Sequence, residues 1–436
     1  MLDLIIKLKT LQMTKNILII AASGGGGLIQ AANAKKQELS EKYPGCKIVY
    51  RDVLLDWIGR PIGPWAVRMW NKWQKKGDIK SLERLLSKQW LADILFWPQI
   101  FIRTLKILFR EEIDIVIDSQ NVGTSAVLTA LRIYNTKRNK NVFLEKVVVD
   151  LPTKLNTHYF KPIKKIKEKN KKYLKVITIE PLLEDYQTEE MFWQENCALT
   201  LESIIYERFA IRKFFKKYQN RESCKDIFNI EIQTHNAEEE KMSEDLLSKS
   251  SLSFAKEKGT FSLTIKPKDI LITILLGSQP AKEATLLYIK GIIDLACKNA
   301  AKNYHLFVFS SYHEPKAKSL FFEVFSFVKN HPEKPKNLTI LPLSFQNEST
   351  IAPIFYRSNI TFTRSGGQTA MELMCVMHGQ ILVHSEAKKK TDRTSLLKGI
   401  FAWEAGSAMY LEEKRGAKIV TPHTFKEHIQ SYFNAE

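Results

Sequence analysis

The chain has 436 residues, 44% hydrophobic and 26% charged: too long for one ordinary domain and too apolar for global disorder. No apolar run reaches the roughly 18 residues of a membrane-spanning helix. Five cysteines without a CxxC pair exclude a disulfide framework and argue against a zinc ribbon. A formal charge of +19 favours an anionic partner: nucleic acid, a membrane face or a phosphorylated substrate.

The start, Met1-Leu2-Asp3, has no basic region before an apolar stretch, so no cleaved signal peptide is expected. With the cysteine usage this predicts a reducing, cytoplasmic location. The first strand is predicted at Asn16–Ala22, followed by the turn Ser23-Gly24-Gly25-Gly26-Gly27 and a helix over Leu28–Tyr43. Strand, glycine turn and helix open a parallel α/β domain. The turn is not a Walker loop, because no Gly-Lys-Ser/Thr follows, and it lacks a GxGxxG frame. It is either a plain turn or a place where a bound acceptor approaches the backbone. Further strands are expected at Lys47–Tyr50, Ile113–Asp118, Lys146–Asp150 and Lys175–Glu180, separated by helices on both faces of one sheet.

The alternation breaks at 216–268, where a Glu-Glu-Glu run and serine clusters suggest a charged linker or mobile insertion. It resumes at Asp269 with ILITILLGS, a helix from Ala281, and the runs HLFVFSS, NLTILPL, NITFTRSGG and GQILVHS. The expected partition is a first α/β domain over 1–215, the insertion over 216–268, a second α/β domain over 269–422, and a C-terminal helix over 423–436 that packs back on the first domain. Twin domains of this kind bind ligands at the C-terminal ends of their strands.

Two strand–turn motifs in the second domain carry chemistry. Arg364-Ser365-Gly366-Gly367-Gln368-Thr369 joins a strand to a helix, and its small residues let main-chain N–H groups approach an anion at the helix start. Ser365 and Thr369 add hydroxyls, and the Glu372 carboxylate lies one turn on, where it could accept from a ribose diol. The plainer alternative is a tight turn capped by Ser365 with an ion-paired Glu372. Gly277-Ser278-Gln279 is a second glycine turn on the same domain, and two such turns on one sheet edge can cradle the two ends of a diphosphate.

On these motifs the second domain resembles the nucleotide-binding half of family 28 glycosyltransferases, which have the GT-B fold. GSQ at 277–279 is similar to the first glycine loop of the lipid II synthases, and RSGGQTAME at 364–372 matches their RSG-x-x-T-x-x-E frame. Trp403-Glu404-Ala405-Gly406-Ser407 resembles the QEAGN segment of monogalactosyldiacylglycerol synthases and processive diacylglycerol glucosyltransferases. ILIIAASGGGG at 17–27 and VVVDLPTKLNTHYF at 147–160 resemble segments of the same lipid enzymes. Leu28 stands where those have histidine, and Ser407 where they have asparagine.

The resemblance implies two Rossmann-like domains whose parallel sheets face each other across a cleft. It implies inverting transfer of a sugar from a nucleotide diphosphate donor, expected to be a UDP-sugar, to a hydroxyl acceptor. Glu404 and Ser407 would join the donor site, and a loop at Phe345 would hold the nucleobase. No metal is needed in that architecture, and the chain shows no convincing DxD motif or His/Cys cluster; the nucleotide sugar is substrate rather than cofactor.

Asp150 ends an apolar run, where a carboxylate is costly unless paired or facing a cleft. It is either a turn carboxylate for Leu151-Pro152 or the catalytic base, with His158 as alternative or partner. Residues 154–175 hold nine lysines and one glutamate, and Trp57, Trp65, Trp70, Trp73, Trp90, Phe96, Trp97, Phe101 and Phe109 punctuate 57–109 among basic residues. These suit either a solvated face and a helical core, or an anionic membrane surface presenting a lipid acceptor. The expectation is a peripherally membrane-associated enzyme with no specific nucleic-acid partner and an open oligomeric state. The alternatives are a protein or soluble acceptor with a GDP-mannose donor, and a non-catalytic basic protein that binds RNA or membrane.

Overall fold

The computed structural model describes residues 14–23, 26–76, 78–207, 211–277, 280–299, 301–310, 319–332, 335–387 and 392–434. The chain divides into two compact units. One runs to Trp70 and resumes over Arg84–Arg212; the other combines Asn71–Glu83 with Lys213–Glu436.

The first unit is built on six parallel strands: β1 (Asn16–Ala21), β2 (Lys47–Asp52), β3 (Ile115–Asp118), β4 (Leu144–Val147), β5 (Leu174–Thr178) and β6 (Ile204–Tyr206), in the order β2-β1-β3-β4-β5-β6. Ile17, Leu18, Ile19 and Ile20 of β1 have no exposed surface. A central strand covered on both faces must read as a continuous apolar run rather than an alternating one. β4 stops at Val147, so Asp150 lies beyond the strand, in the loop before the helix Thr157–Lys164.

The segment 216–268, expected as a linker or mobile insertion, is folded and belongs to the second unit. Its strands β7 (Phe228–Gln233), β8 (Ser253–Glu257) and β9 (Thr260–Ile265) form an antiparallel sheet ordered β7-β9-β8, with the helix Ala237–Leu247 between β7 and β8. Ile230 and Ile232 are buried while Glu231 and Gln233 are exposed, a half-buried alternation under a charged surface. Asn236 caps the helix by accepting from the Glu239 N–H at 2.9 Å, which accounts for the Glu-Glu-Glu run as an acidic first turn.

The second sheet of six parallel strands follows: β10 (Ile270–Leu275), β11 (Tyr304–Phe309), β12 (Leu338–Leu343), β13 (Ile360–Thr363), β14 (Gln380–His384) and β15 (Lys418–Val420), ordered β12-β11-β10-β13-β14-β15. This order is 3-2-1-4-5-6 in the domain's own count, the doubly wound dinucleotide-binding topology. The terminal helix Lys426–Phe433 lies on this domain, not on the first as expected. Phe433 stacks on Tyr304 with ring centroids 4.4 Å apart, and Phe425 packs edge-on against Tyr288 at 5.1 Å. These are buried aromatic contacts that a return to another domain would forfeit. The fold class is thus as expected: α/β, with two Rossmann-like domains, each built on a six-stranded parallel sheet. Among the described residues, no helix is long and apolar enough to cross a membrane.

Candidate functional site

In a doubly wound sheet, ligands bind outside the carboxyl ends of the strands where the order reverses, here between β10 and β13. Those strands pair in parallel, with Leu275 opposite Thr363, so the turns that follow them lie side by side. One begins at Gly277, whose φ of +81° is a left-handed conformation that glycine adopts without strain. The other is Arg364-Ser365-Gly366, leading into the helix Gly367–Val376. Ser278 and Gln279 lie outside the described residues.

Arg364 is buried and held from several sides. Its Nη2 donates to Glu386 Oε1 at 3.0 Å, its Nη1 to the Gln74 carbonyl at 3.4 Å, and its guanidinium lies 5.1 Å from the Phe401 ring centroid. Burial alone would push the Glu386 carboxyl up, but His384 and Arg364 beside it hold it below the usual carboxylate range. His384 Nε2 is 3.3 Å from Glu386 Oε1, and His384 Nδ1 is 2.9 Å from the hydroxyl of the fully buried Tyr288. Arg364 therefore stands at the end of a supported chain of polar groups, a fixed cation at the switch point.

The remaining predicted donor residues gather around the same turn. Ser365 Oγ donates to the Glu404 carbonyl at 2.8 Å, which ties the turn to the helix Ala402–Arg415. A side chain on Gly366 would come within 3.8 Å of Glu404 Oε1. Ser407, on the same helix, is fully buried, and Thr369 is half-buried. Glu372 is buried, and its Oε1 accepts from Gln368 Nε2 at 3.1 Å. Phe345 follows β12, and its ring is 56% exposed.

The first domain has its own reversal, between β1 and β3. Of the expected acceptor turn, Gly26 and Gly27 begin the helix Gly26–Lys42, while Gly24 and Gly25 lie outside the described residues. The loop after β3 is rigidly held: Ser119 Oγ donates to the Leu28 carbonyl at 3.0 Å, and the Gly123 N–H to Asp93 at 2.7 Å. Beneath it Lys146, also buried, donates to Asp118 and to Thr124 Oγ1, both at 3.0 Å. Burial pushes the Lys146 amine down against the opposing pull of Asp118.

The structure joins the two candidate bases. His158 Nε2 is 2.9 Å from Asp150 Oδ2, and Asn156 Nδ2 donates to the Asp150 carbonyl at 2.7 Å. Such a pair can accept a proton, with one group orienting the other. Tyr159 connects it to the buried ion pair: its ring lies 4.7 Å from that of His158 and 5.8 Å from Lys146 Nζ. The supporting groups Asp118, Lys146, Tyr288, His384 and Glu386 had no signal in the sequence: Asp118 and His384 end strands, Lys146 lies within one, Glu386 follows one and Tyr288 lies in the helix Lys282–Lys298. Among the described residues no group of three His, Cys, Asp or Glu side chains could hold a metal ion.

No protein-family model matches the chain, and no curated protein does. The structure is similar to solved structures at low identity. MurG from Acinetobacter baumannii is 11% identical over 96% of this chain and 91% of its own, with a TM-score of 0.46. A UDP-GlcNAc 2-epimerase from Neisseria meningitidis bound to UDP-GlcNAc is 11% identical over 96% and 97%, with a TM-score of 0.41. A glycosyltransferase from Rickettsia africae is 13% identical over 97% and 93%, with a TM-score of 0.39. These likenesses are too distant to carry a site or an activity to this chain.

Proposed function

We propose that the chain is a glycosyltransferase of the family 28 type that takes its sugar from a nucleoside diphosphate donor, a UDP-sugar in our reading. The observation that carries this is the pairing of the Gly277 and Arg364–Gly367 turns on adjacent strands at the switch point of a 3-2-1-4-5-6 sheet. Arg364 and the N–H groups opening the helix Gly367–Val376 stabilise the leaving diphosphate by charge and dipole, so the reaction needs no metal. Thr369 adds a hydroxyl, Glu372 receives the ribose diol, and the base lies by Phe345.

Transfer is a single inverting displacement. The acceptor hydroxyl forms the new bond at the anomeric carbon and gives its proton to the Asp150–His158 pair. The diphosphate leaves with the electrons of the broken C–O bond.

The acceptor in this reading is a lipid at an anionic membrane, and the surface of the first domain supports it. Trp65, Trp90, Ile94, Leu95 and Ile102 are exposed. Lys165, in the lysine-rich segment, is close enough to Asp93 of the helix Gln89–Leu95 to oppose the upward push of burial on that carboxyl. Apolar side chains beside exposed cations suit peripheral docking.

A screen of UDP- and GDP-linked sugars, with and without anionic vesicles carrying lipid hydroxyls, tests the reading through release of the nucleoside diphosphate. Release from one donor, accelerated by the vesicles, is expected. Release from none of them contradicts the transferase assignment, and release unaffected by vesicles transfers the acceptor role to a protein or soluble hydroxyl.

A further inference from the structure

The insertion formed by β7, β8, β9 and the helix Ala237–Leu247 is held by the helix Glu348–Arg357, where Thr350 Oγ1 donates to the Glu231 carbonyl at 2.9 Å and Tyr356 lies against Phe228, and by the loop 344–347 at the end of β12. The Gln346 side chain is buried and pairs with the main chain of Gln233: Oε1 accepts from its N–H at 3.0 Å, and Nε2 donates to its carbonyl at 2.8 Å. These are the main-chain groups of β7 that its partner β9 leaves over, so Gln346 acts as a one-residue neighbouring strand. Asn347 Nδ2 donates to Gln233 Oε1 at 3.2 Å. Ser344 Oγ donates to the buried Glu239, whose other oxygen accepts the His235 N–H at 3.0 Å. His235 Nε2 lies 2.6 Å from the Phe345 carbonyl and donates to it, and the two rings are 6.4 Å apart, both exposed.

Each residue of the loop is thus gripped through its side chain or carbonyl, while the Phe345 ring is left facing solvent. The grip buries a carboxylate of the insertion, Glu239, and an amide of the loop, Gln346, polar groups that a merely solvated flap would leave in water. The position has a second meaning. β12 lies two strands from β10, roughly 10 Å at the usual strand spacing. That is the offset of a nucleobase from a diphosphate anchored at the β10–β13 turns.

We infer that the insertion is a base-specificity element of the nucleotide site. His235 acts as a positioning residue that fixes the Phe345 main chain, and its ring flanks the face on which the nucleobase lies. This rests on the proposed nucleotide reading but assigns new residues to it: Gln233, His235 and Glu239. A loop fixed at every residue presents main-chain donors and acceptors in one arrangement, which reads a base edge; a loose loop accepts any base.

The test is calorimetric titration of the full-length protein with UDP, CDP, GDP, ADP and inorganic pyrophosphate, using wild type, His235→Ala and His235→Gln. Wild type is expected to prefer one base. His235→Ala should lose about tenfold in affinity for the preferred nucleotide, one hydrogen bond's worth, and the preference over the other bases should narrow. Pyrophosphate binding and melting temperature should hold. His235→Gln, which can still donate to the Phe345 carbonyl, should recover most of the loss. If wild type discriminates among bases and His235→Ala discriminates equally, the inference is overturned and the nucleotide reading stands. If wild type binds none of the five compounds, both fall.

Discussion

Arg364 and Glu386, 22 positions apart, meet at 3.0 Å near the point where the strand order of the second sheet reverses. Glu386 brings a carboxylate to this arginine, alongside the Gln74 carbonyl and the Phe401 ring. Glu386→Gln should weaken diphosphate binding and destabilise the fold by about 1.5–3 kcal/mol at pH 7. The Glu386 carboxyl is held below its ordinary value, so its stabilisation is complete above that value and is lost only as pH falls through the lower folded one. Urea unfolding of both proteins should show a constant gap from pH 7 to about 5 that closes in stronger acid. A gap that widens on acidification contradicts this.

Asp150 and His158 share one hydrogen bond, so they should behave as a unit in turnover. Asp150→Asn and His158→Gln are each expected to lower turnover by roughly 10²–10⁴. The double variant should lose far less than the product of the two. Nucleotide affinity, measured alongside, should stay within twofold of wild type in our expectation, because neither residue belongs to the second domain. Single variants that retain turnover remove the pair from the chemistry.

Lys146 and Asp118 form a buried ion pair. Removing one member leaves an uncompensated charge, so Lys146→Met should cost about 3–5 kcal/mol. Asp118→Asn added to Lys146→Met should recover much of the loss, since the double variant buries no net charge. Equilibrium unfolding of the four proteins gives the coupling directly, and additive losses would show that the pair is not a unit.

Membrane docking follows from the exposed Trp90 and Leu95 and from the exposed lysines among 154–175. Lys171 is not one of those: it is buried, with its ammonium on Glu168 and the Ala198 carbonyl. Each surface lysine is worth roughly 1 kcal/mol at an anionic bilayer. Charge reversal at Lys164, Lys165 and Lys172 should therefore abolish co-sedimentation of RNase-treated protein with anionic vesicles. Trp90→Glu should weaken it on its own. Wild-type protein that ignores anionic vesicles removes the support for a lipid acceptor.

The parallel strands were legible because burial on both faces leaves no choice but apolar residues, as in Ile17–Ile20 and Ile270–Leu275. The glycine turns were legible because close backbone approach restricts the side chain itself. The antiparallel insertion was not: FNIEIQ at 228–233 alternates as a half-buried strand should, but it is short and sits among Glu and Ser that look solvated. The supports of the site were hidden for another reason. Tyr288 and His384 are 96 positions apart, and Lys146 and Asp118 are 28. Only the strand order brings such partners together, and no local pattern encodes it. The Asp150–His158 pair, eight apart, could be suspected because both fall on one strand-to-helix connection.

The central claim is that the β10–β13 turns hold a nucleoside diphosphate, and calorimetric titration of the full-length protein with UDP and GDP tests it most directly. One of them should bind. Arg364→Ala should lower its affinity at least tenfold, and Glu372→Ala by about 1.5–3 kcal/mol through the lost ribose contact. Binding of neither nucleotide at millimolar concentration, or equal binding by wild type and both variants, would contradict the account.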